Sequence, residues 1–194
     1  MKPRQRIFIL IWLLALAVVV CAQDIYPISG GGKTEQDPNN KKLIRFVAEN
    51  ERVRVIVGRS DKWKNKKARM IVIQVKVENL SDEPLNIHTS KFNAVDEQGR
   101  AYAGLETDEA IKRFNDTHAI AMNVFTGPLR HGAVQQRIAE DFRRAALSSG
   151  NIPPHSFKEG VVFFEAPERQ HYTLKITLAN LWPEAFVFST EKSK

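Results

Sequence analysis

A period of two in side-chain character constrains this chain most. Val53, Val55 and Val57 alternate with Arg52, Arg54 and Ile56, and Ile71, Ile73, Val75 and Val77 alternate with Val72, Gln74, Lys76 and Glu78. Near the end, Tyr172, Leu174, Ile176 and Leu178 alternate with Thr173, Lys175 and Thr177. Successive side chains of an extended chain point to opposite faces, so this pattern predicts strands with one face in a core. Further strands are expected at 85–88, 161–165 and 186–188, after a turn at 79–84 rich in Asn, Ser, Asp and Pro. Residues 92–95 and 101–103 flank Asp96-Glu97-Gln98-Gly99 and read as a hairpin. Short strands joined by turns, with no helix among the first five, predict a mainly β chain built as an antiparallel sandwich.

The middle of the chain changes period. Thr107 is read as the cap of a helix that opens with Asp108 and Glu109 and carries Ala110, Ile111 and Phe114 on one side. A second helix places Val134, Ile138, Phe142 and Ala145 or Ala146 on one stripe, with Gln135, Arg137, Glu140, Arg143 and Arg144 elsewhere, and Gly150 at its expected stop. The expectation is a helical insertion at about 107–149, packed against an edge or end of the sandwich.

Three segments together resemble a known group of proteins. They are Val72-Ile73-Gln74-Val75-Lys76-Val77-Glu78-Asn79-Leu80-Ser81-Asp82-Glu83-Pro84, then Asp96-Glu97-Gln98-Gly99-Arg100-Ala101-Tyr102, then Ile152-Pro153-Pro154 followed by Lys158-Glu159-Gly160-Val161-Val162-Phe163-Phe164. This resembles a family of exported bacterial domains of unknown function, similar in fold to the mycobacterial immunoprotective extracellular protein. The likeness covers about 42–104 and 151–188; the stretch 107–149 departs from it by being longer and more helical. The resemblance implies an antiparallel immunoglobulin-like β-sandwich of about seven strands over 42–190, exported and non-catalytic. The motifs themselves have turn chemistry behind them and identify no catalytic group.

The N-terminus reads as an export signal. Lys2, Arg4 and Arg6 precede an apolar run at 7–20, and Val20 and Ala22 occupy the small-residue positions of a cleavage site that would leave Gln23 first. Fourteen apolar residues fall short of the roughly 20 that span a bilayer, so cleavage ranks above a permanent anchor. Cys21 would be the lipid acceptor of a lipoprotein, but Val20 before it is not the usual small residue, so lipidation ranks below cleavage. Membrane contact is therefore expected only through the signal if uncleaved, or through Cys21 if lipidated. Cys21 is the single cysteine, so neither a disulfide framework nor a thiolate zinc site is available within one chain. Residues 23–41, with Pro27, Gly30, Gly31, Gly32, Asp37, Pro38, Asn39 and Asn40, show no period and read as a flexible lead-in. Gly30-Gly31-Gly32-Lys33-Thr34 does not make a phosphate loop, because Pro27 holds the position of its first glycine. Loss of the signal lowers the formal charge from +7 to +4, which gives no argument for nucleic acid. The expected location is periplasmic or extracellular.

Chemistry-bearing patterns are sparse. His88, His118, His131, His155 and His171 show no metal-ligand spacing, and no Gly-x-Ser-x-Gly elbow occurs, so neither metal nor cofactor is expected. Glu140 and Asp141 are neighbours on a helix and diverge. A hydrolase would need His118, His131 and Glu140 to converge in a cleft between sandwich and insertion. The strongest binding candidate is the loop holding Arg59, Lys62, Trp63, Lys64, Lys66, Lys67 and Arg69, six bases against the single acid Asp61. It would suit an anionic surface, a polyanionic glycan or an acidic envelope protein, with the indole adding apolar contact. A solvated hairpin whose lysines protect a sheet edge explains the same composition and ranks ahead. Trp182-Pro183 with Phe186 and Phe188 is read as completing the core. Asn79-Leu80-Ser81 and Asn115-Asp116-Thr117 fit the short glycosylation pattern, which a bacterial protein leaves idle.

Overall fold

The strands follow the chain as β1 (Tyr26–Ser29), β2 (Lys33–Gln36), β3 (Ile44–Glu49), β4 (Val53–Arg59), β5 (Met70–Asn79), β6 (Leu85–Ile87), β7 (Phe92–Asp96) and β8 (Ala101–Leu105). Two helices come next, α1 (Thr107–Met122) and α2 (Pro128–Ala145), then β9 (Gly150–Ile152), β10 (Phe157–Glu165), β11 (Thr173–Leu178) and β12 (Phe186–Ser189). The computed structural model describes residues 26–29, 32–38, 43–60, 69–122, 128–168 and 172–190. The expected signal at 1–22, Cys21 included, lies outside them. No helix among the described residues is long and apolar enough to cross a membrane.

Ten strands form one antiparallel sheet in the order β1-β12-β11-β7-β8-β10-β5-β4-β3-β2, and β6 pairs with β9 separately. The sheet bends back on itself until β1 lies against β3, so it is nearly barrel-shaped. Its two halves are joined through β8, which pairs with β7 along Ala101–Ala103 and with β10 only at Gly104 and Leu105. The longest ladder joins β5 and β10, from Phe157↔Glu78 to Glu165↔Met70.

The period of two sorts the side chains as expected. Val53, Val55 and Val57 of β4 and Ile71, Ile73, Val75 and Val77 of β5 enter one core with Phe46, Val162, Phe164, Phe92, Ala94, Leu174, Ile176, Leu178, Phe186 and Phe188. Phe46 meets Phe186 and Phe188 across the interior at centroid distances of 5.7 and 5.4 Å, the second edge-on. Trp182 packs against this core from its margin, as the sequence suggests. Tyr172 is also buried here; burial, and secondarily the charge of Tyr102, pushes its phenol up to about 12.

The opposite faces of β5 and β10 carry a second core. Val72, Val161 and Phe163 pack against Ala110, Ile111 and Phe114 of α1 and Phe142 of α2, and Phe142 stacks on Phe163 at 5.2 Å. The helices therefore cover a face of the sheet rather than an edge or end. Arg113 of α1 reaches Glu109 and Glu165, both at 3.0 Å, and Arg143 of α2 reaches Asp108 at 2.9 Å.

Five expectations are corrected. Residues 23–41 include two strands instead of a lead-in without period: β2 is exposed at all four positions and is held by its main-chain ladder to β3, which leaves no hydrophobic alternation to read. The first helix starts at Thr107 itself, and the carbonyl of Glu106 accepts the Ala110 amide, so Glu106 holds the cap position. The second helix ends at Ala145, not before Gly150, because Ala146 and Leu147 cross β10 and the Leu147 amide bonds the Val161 carbonyl. Gly160 permits that crossing: a Cβ there would lie 2.6 Å from the Leu147 main chain. Val134, expected on the buried stripe, is exposed. The described residues hold twelve strands where about seven are expected, the additions including β3, whose Phe46, Val47 and Ala48 are buried.

Candidate functional site

The basic loop leaves the sheet between adjacent antiparallel strands. Arg59 ends β4 and pairs with Ile73, the Ser60 amide continues the ladder to Val72, and Arg69 precedes β5 with φ 48°. The described ends of the loop thus lie at neighbouring ends of an antiparallel pair. Lys62, Trp63, Lys64, Lys66 and Lys67 lie outside the described residues. Arg69 is tied down: its carbonyl accepts the Ala166 amide at 2.8 Å and its guanidinium pairs with Glu168.

The opposite end of the same strands carries a more fully described surface. Asn79 closes β5 and is 1% exposed, and its amide nitrogen donates to the carbonyls of Glu83 (2.7 Å), Ile152 (3.1 Å) and Pro153 (3.1 Å). Its Oδ1 accepts the Ser81 amide and hydroxyl, at 3.1 and 2.8 Å. One side chain therefore fastens the turn after β5 to the turn before β10. A third turn joins them: Asn50 Oδ1 accepts the Arg52 and Val53 amides at 2.9 Å, and the Arg52 carbonyl accepts the Leu80 amide at 2.9 Å. On this platform His155 lies 2.9 Å from Asp82, both exposed. The amide of the Asn79-Leu80-Ser81 pattern is thus saturated by main-chain carbonyls.

Beside the platform, Phe157 opposes Glu78 and remains 57% exposed, the largest exposure among the big apolar side chains described. The Lys76 ammonium stands 4.4 Å from its ring centroid and 2.6 Å from Glu78. Glu78 in turn meets Arg54 at 3.6 Å, which also reaches Glu49 at 3.4 Å. Leu80, 37% exposed, continues the adjacent strand end. An aromatic ring held in the open by ladder pairing and a cation at its face is a firm contact point on a charged surface. The sequence reading missed Phe157 because Lys158, Glu159 and Gly160 separate it from the apolar run at 161–164; the signal was Phe157, Val161 and Phe163 sharing one parity.

The hairpin motif at 96–102 is organised by a buried carboxylate. Asp96 Oδ1 accepts the Gln98 and Arg100 amides, and Oδ2 accepts Arg100 Nε and the Tyr102 hydroxyl, all at 2.9–3.0 Å. Burial by itself raises the Asp96 pKa; the bonds from the Arg100 main chain and side chain, Tyr102 and Gln98 outweigh it and hold the carboxyl well below the ordinary carboxylate range. Gly99 supplies the φ of 79° that closes the turn. This is fold chemistry, with every acceptor site on the carboxylate occupied by its own hairpin.

Of the three residues a hydrolase would need, only the side chain of Glu140 is described. Glu140 lies on the exposed side of α2, 3.6 Å from Arg144, within a shallow depression also lined by Arg137 and Asp141. The side chains of His118 and His131, and all of His171, lie outside the described residues. His88 precedes the 3-10 turn at Thr89–Lys91, far along the chain from His155. Asn115 lies within α1. Among the described residues no three His, Cys, Asp or Glu side chains group as metal ligands.

No protein-family model matches the chain. No curated protein matches it either. Among solved structures it is similar to the yjhA protein from Bacillus subtilis, with 14% identity, 76% of this chain and 78% of that one covered, and a TM-score of 0.34. It is also similar to a functionally unknown protein from Listeria monocytogenes EGD-e, with 9% identity, 78% and 73% covered, and a TM-score of 0.32.

Proposed function

We propose that the chain is an exported, non-catalytic binding or scaffold module of the bacterial cell envelope, immunoglobulin-like in its connectivity. The strand order supports the fold part of this reading: β4-β5-β10-β8 and β12-β11-β7, taken in chain order, run as the A-B-E-D and G-F-C strands of an immunoglobulin sandwich, with α1 and α2 inserted between D and E. The observation that carries the binding part is Phe157, an exposed ring beside a loop platform fixed by Asn79. Aromatic side chains on rigid supports are the usual centres of protein contacts, because their ordering cost is already met in the free protein. A photo-crosslinking residue in place of Leu80, in cells exporting the protein, is expected to give a discrete protein adduct that Phe157→Ala abolishes. An adduct indifferent to Phe157→Ala, or none, rejects this surface.

A second reading, adhesion to polyanions through the loop of Arg59, Lys62, Trp63, Lys64, Lys66, Lys67 and Arg69, is supported by the loop's position at a strand end and by its charge. Retention on a heparin column should fall steeply with salt and with joint replacement of Lys62, Lys64, Lys66 and Lys67 by Gln. Retention unchanged by the replacement overturns it.

A further inference from the structure

Strand β2 ends the sheet with a self-complementary edge. Its partner β3 faces it in the register Lys33↔Val47 to Gln36↔Ile44. The Asp37 amide donates to the Leu43 carbonyl at 2.9 Å in the same register, which fixes the phase of the ladder. Lys33 and Glu35 therefore spend their main-chain groups on β3, and Thr34 and Gln36 direct theirs away from the sheet. All of β2 is exposed, and among the described residues no strand lies beyond it.

We propose that this edge pairs with β2 of a second copy of the chain, antiparallel and centred on Thr34. In that register Thr34 meets Thr34 as a hydrogen-bonded pair. The non-bonded pairs on either side of it, where side chains approach most closely, set Lys33 opposite Glu35 twice. Threonine pairs and opposite charges across strands are both favourable. Arg45, already 3.8 Å from Glu35, extends the alternation of charge onto β3. A one-residue slip sets Lys33 opposite Gln36 and Thr34 opposite Glu35, losing both charge pairs. Four residues make a small contact, so the dimer is weak, forming above about 10 µM.

The full chain, studied by sedimentation over a concentration series, is expected to move from 22.1 kDa toward twice that mass. Thr34→Pro removes an amide that β3 does not use and should abolish the dimer while leaving the thermal midpoint within about 2 °C. Glu35→Lys should weaken association at least tenfold, and adding Lys33→Glu should restore it. In a Cys21→Ser background, Thr34→Cys should form an intermolecular disulfide, because hydrogen-bonded pairs hold Cα atoms about 5.5 Å apart. A chain that stays monomeric to about 100 µM overturns the proposal, as does a dimer that survives Thr34→Pro. Thr34→Pro abolishing a hetero-adduct of a monomeric chain would likewise overturn it, by assigning the edge to a foreign strand. None of these results bears on the Phe157 surface, which lies on the far side of β3 and β4.

Discussion

Asp96 shows how a single side chain can hold a hairpin and set its response to acid. In the unfolded chain its carboxyl titrates near 3.9; in the hairpin its four hydrogen bonds hold it well below the ordinary range, even though burial opposes them. A depressed folded pKa contributes stability that is fully present above the unfolded value and is lost as pH falls through the folded one. Asp96→Asn keeps the shape but loses the charge-assisted bonds to Arg100. The variant should therefore melt below the parent at pH 7, and the gap between them should close progressively from about pH 4 downward. Melting curves at a series of pH values check this, and a gap that is constant with pH would show that Asp96 acts by shape alone. The sequence marked Asp96, Gly99 and Tyr102 as a turn motif; it did not show that the Tyr102 hydroxyl reaches back to the same carboxylate, since that depends on the strand pairing Ala94↔Tyr102.

At the scale of elements, what was legible depended on whether burial left a periodic trace. Strands β4, β5 and β11 alternate in side-chain character along most of their length and were readable to within a few residues. Strands β1 and β2 are held by main-chain pairing at the two ends of the sheet, and main-chain pairing leaves no mark in side-chain order. The ends of the helices failed for a different reason, since the stop of α2 is dictated by a crossing partner 15 residues downstream of it, Gly160. The candidate site divided in the same way: the basic loop is visible as composition, whereas the exposure of Phe157 follows from its register with Glu78 and from nothing local. Two glycines test the crossing. Gly160→Ala brings a Cβ against the main chain of Leu147 and Ala145, where nothing can swing aside, and should cost about 3 kcal/mol. Gly132→Ala, in α2 with nothing within 4 Å, should instead stabilise by up to about 1 kcal/mol. Chemical denaturation measures both, and hydrogen exchange at the Leu147 amide should accelerate only in the first.

For the whole molecule the question is whether the two halves of the sheet fold as one unit, since among the described residues the short β8–β10 pairing is their ladder link. Side chains supply the stronger coupling. Phe46 of β3, from one half, is fully buried and contacts Phe186 and Phe188 of β12, from the other. The helices add nothing to this link, because α1 and α2 pack on β5 and β10 of a single half. If the shared core is the coupling, Phe46→Ala should cost about 4 kcal/mol and should lower the protection of β12 amides as much as that of β4 amides. Hydrogen exchange with mass-spectrometric readout separates the two strands, and a two-state unit requires equal losses at both. Selective loss at β11 and β12, with β4 and β5 unchanged, would instead make the first half a separately stable unit. In that event the Phe157 surface and the β2 edge, which both belong to the first half, would survive partial unfolding of the second.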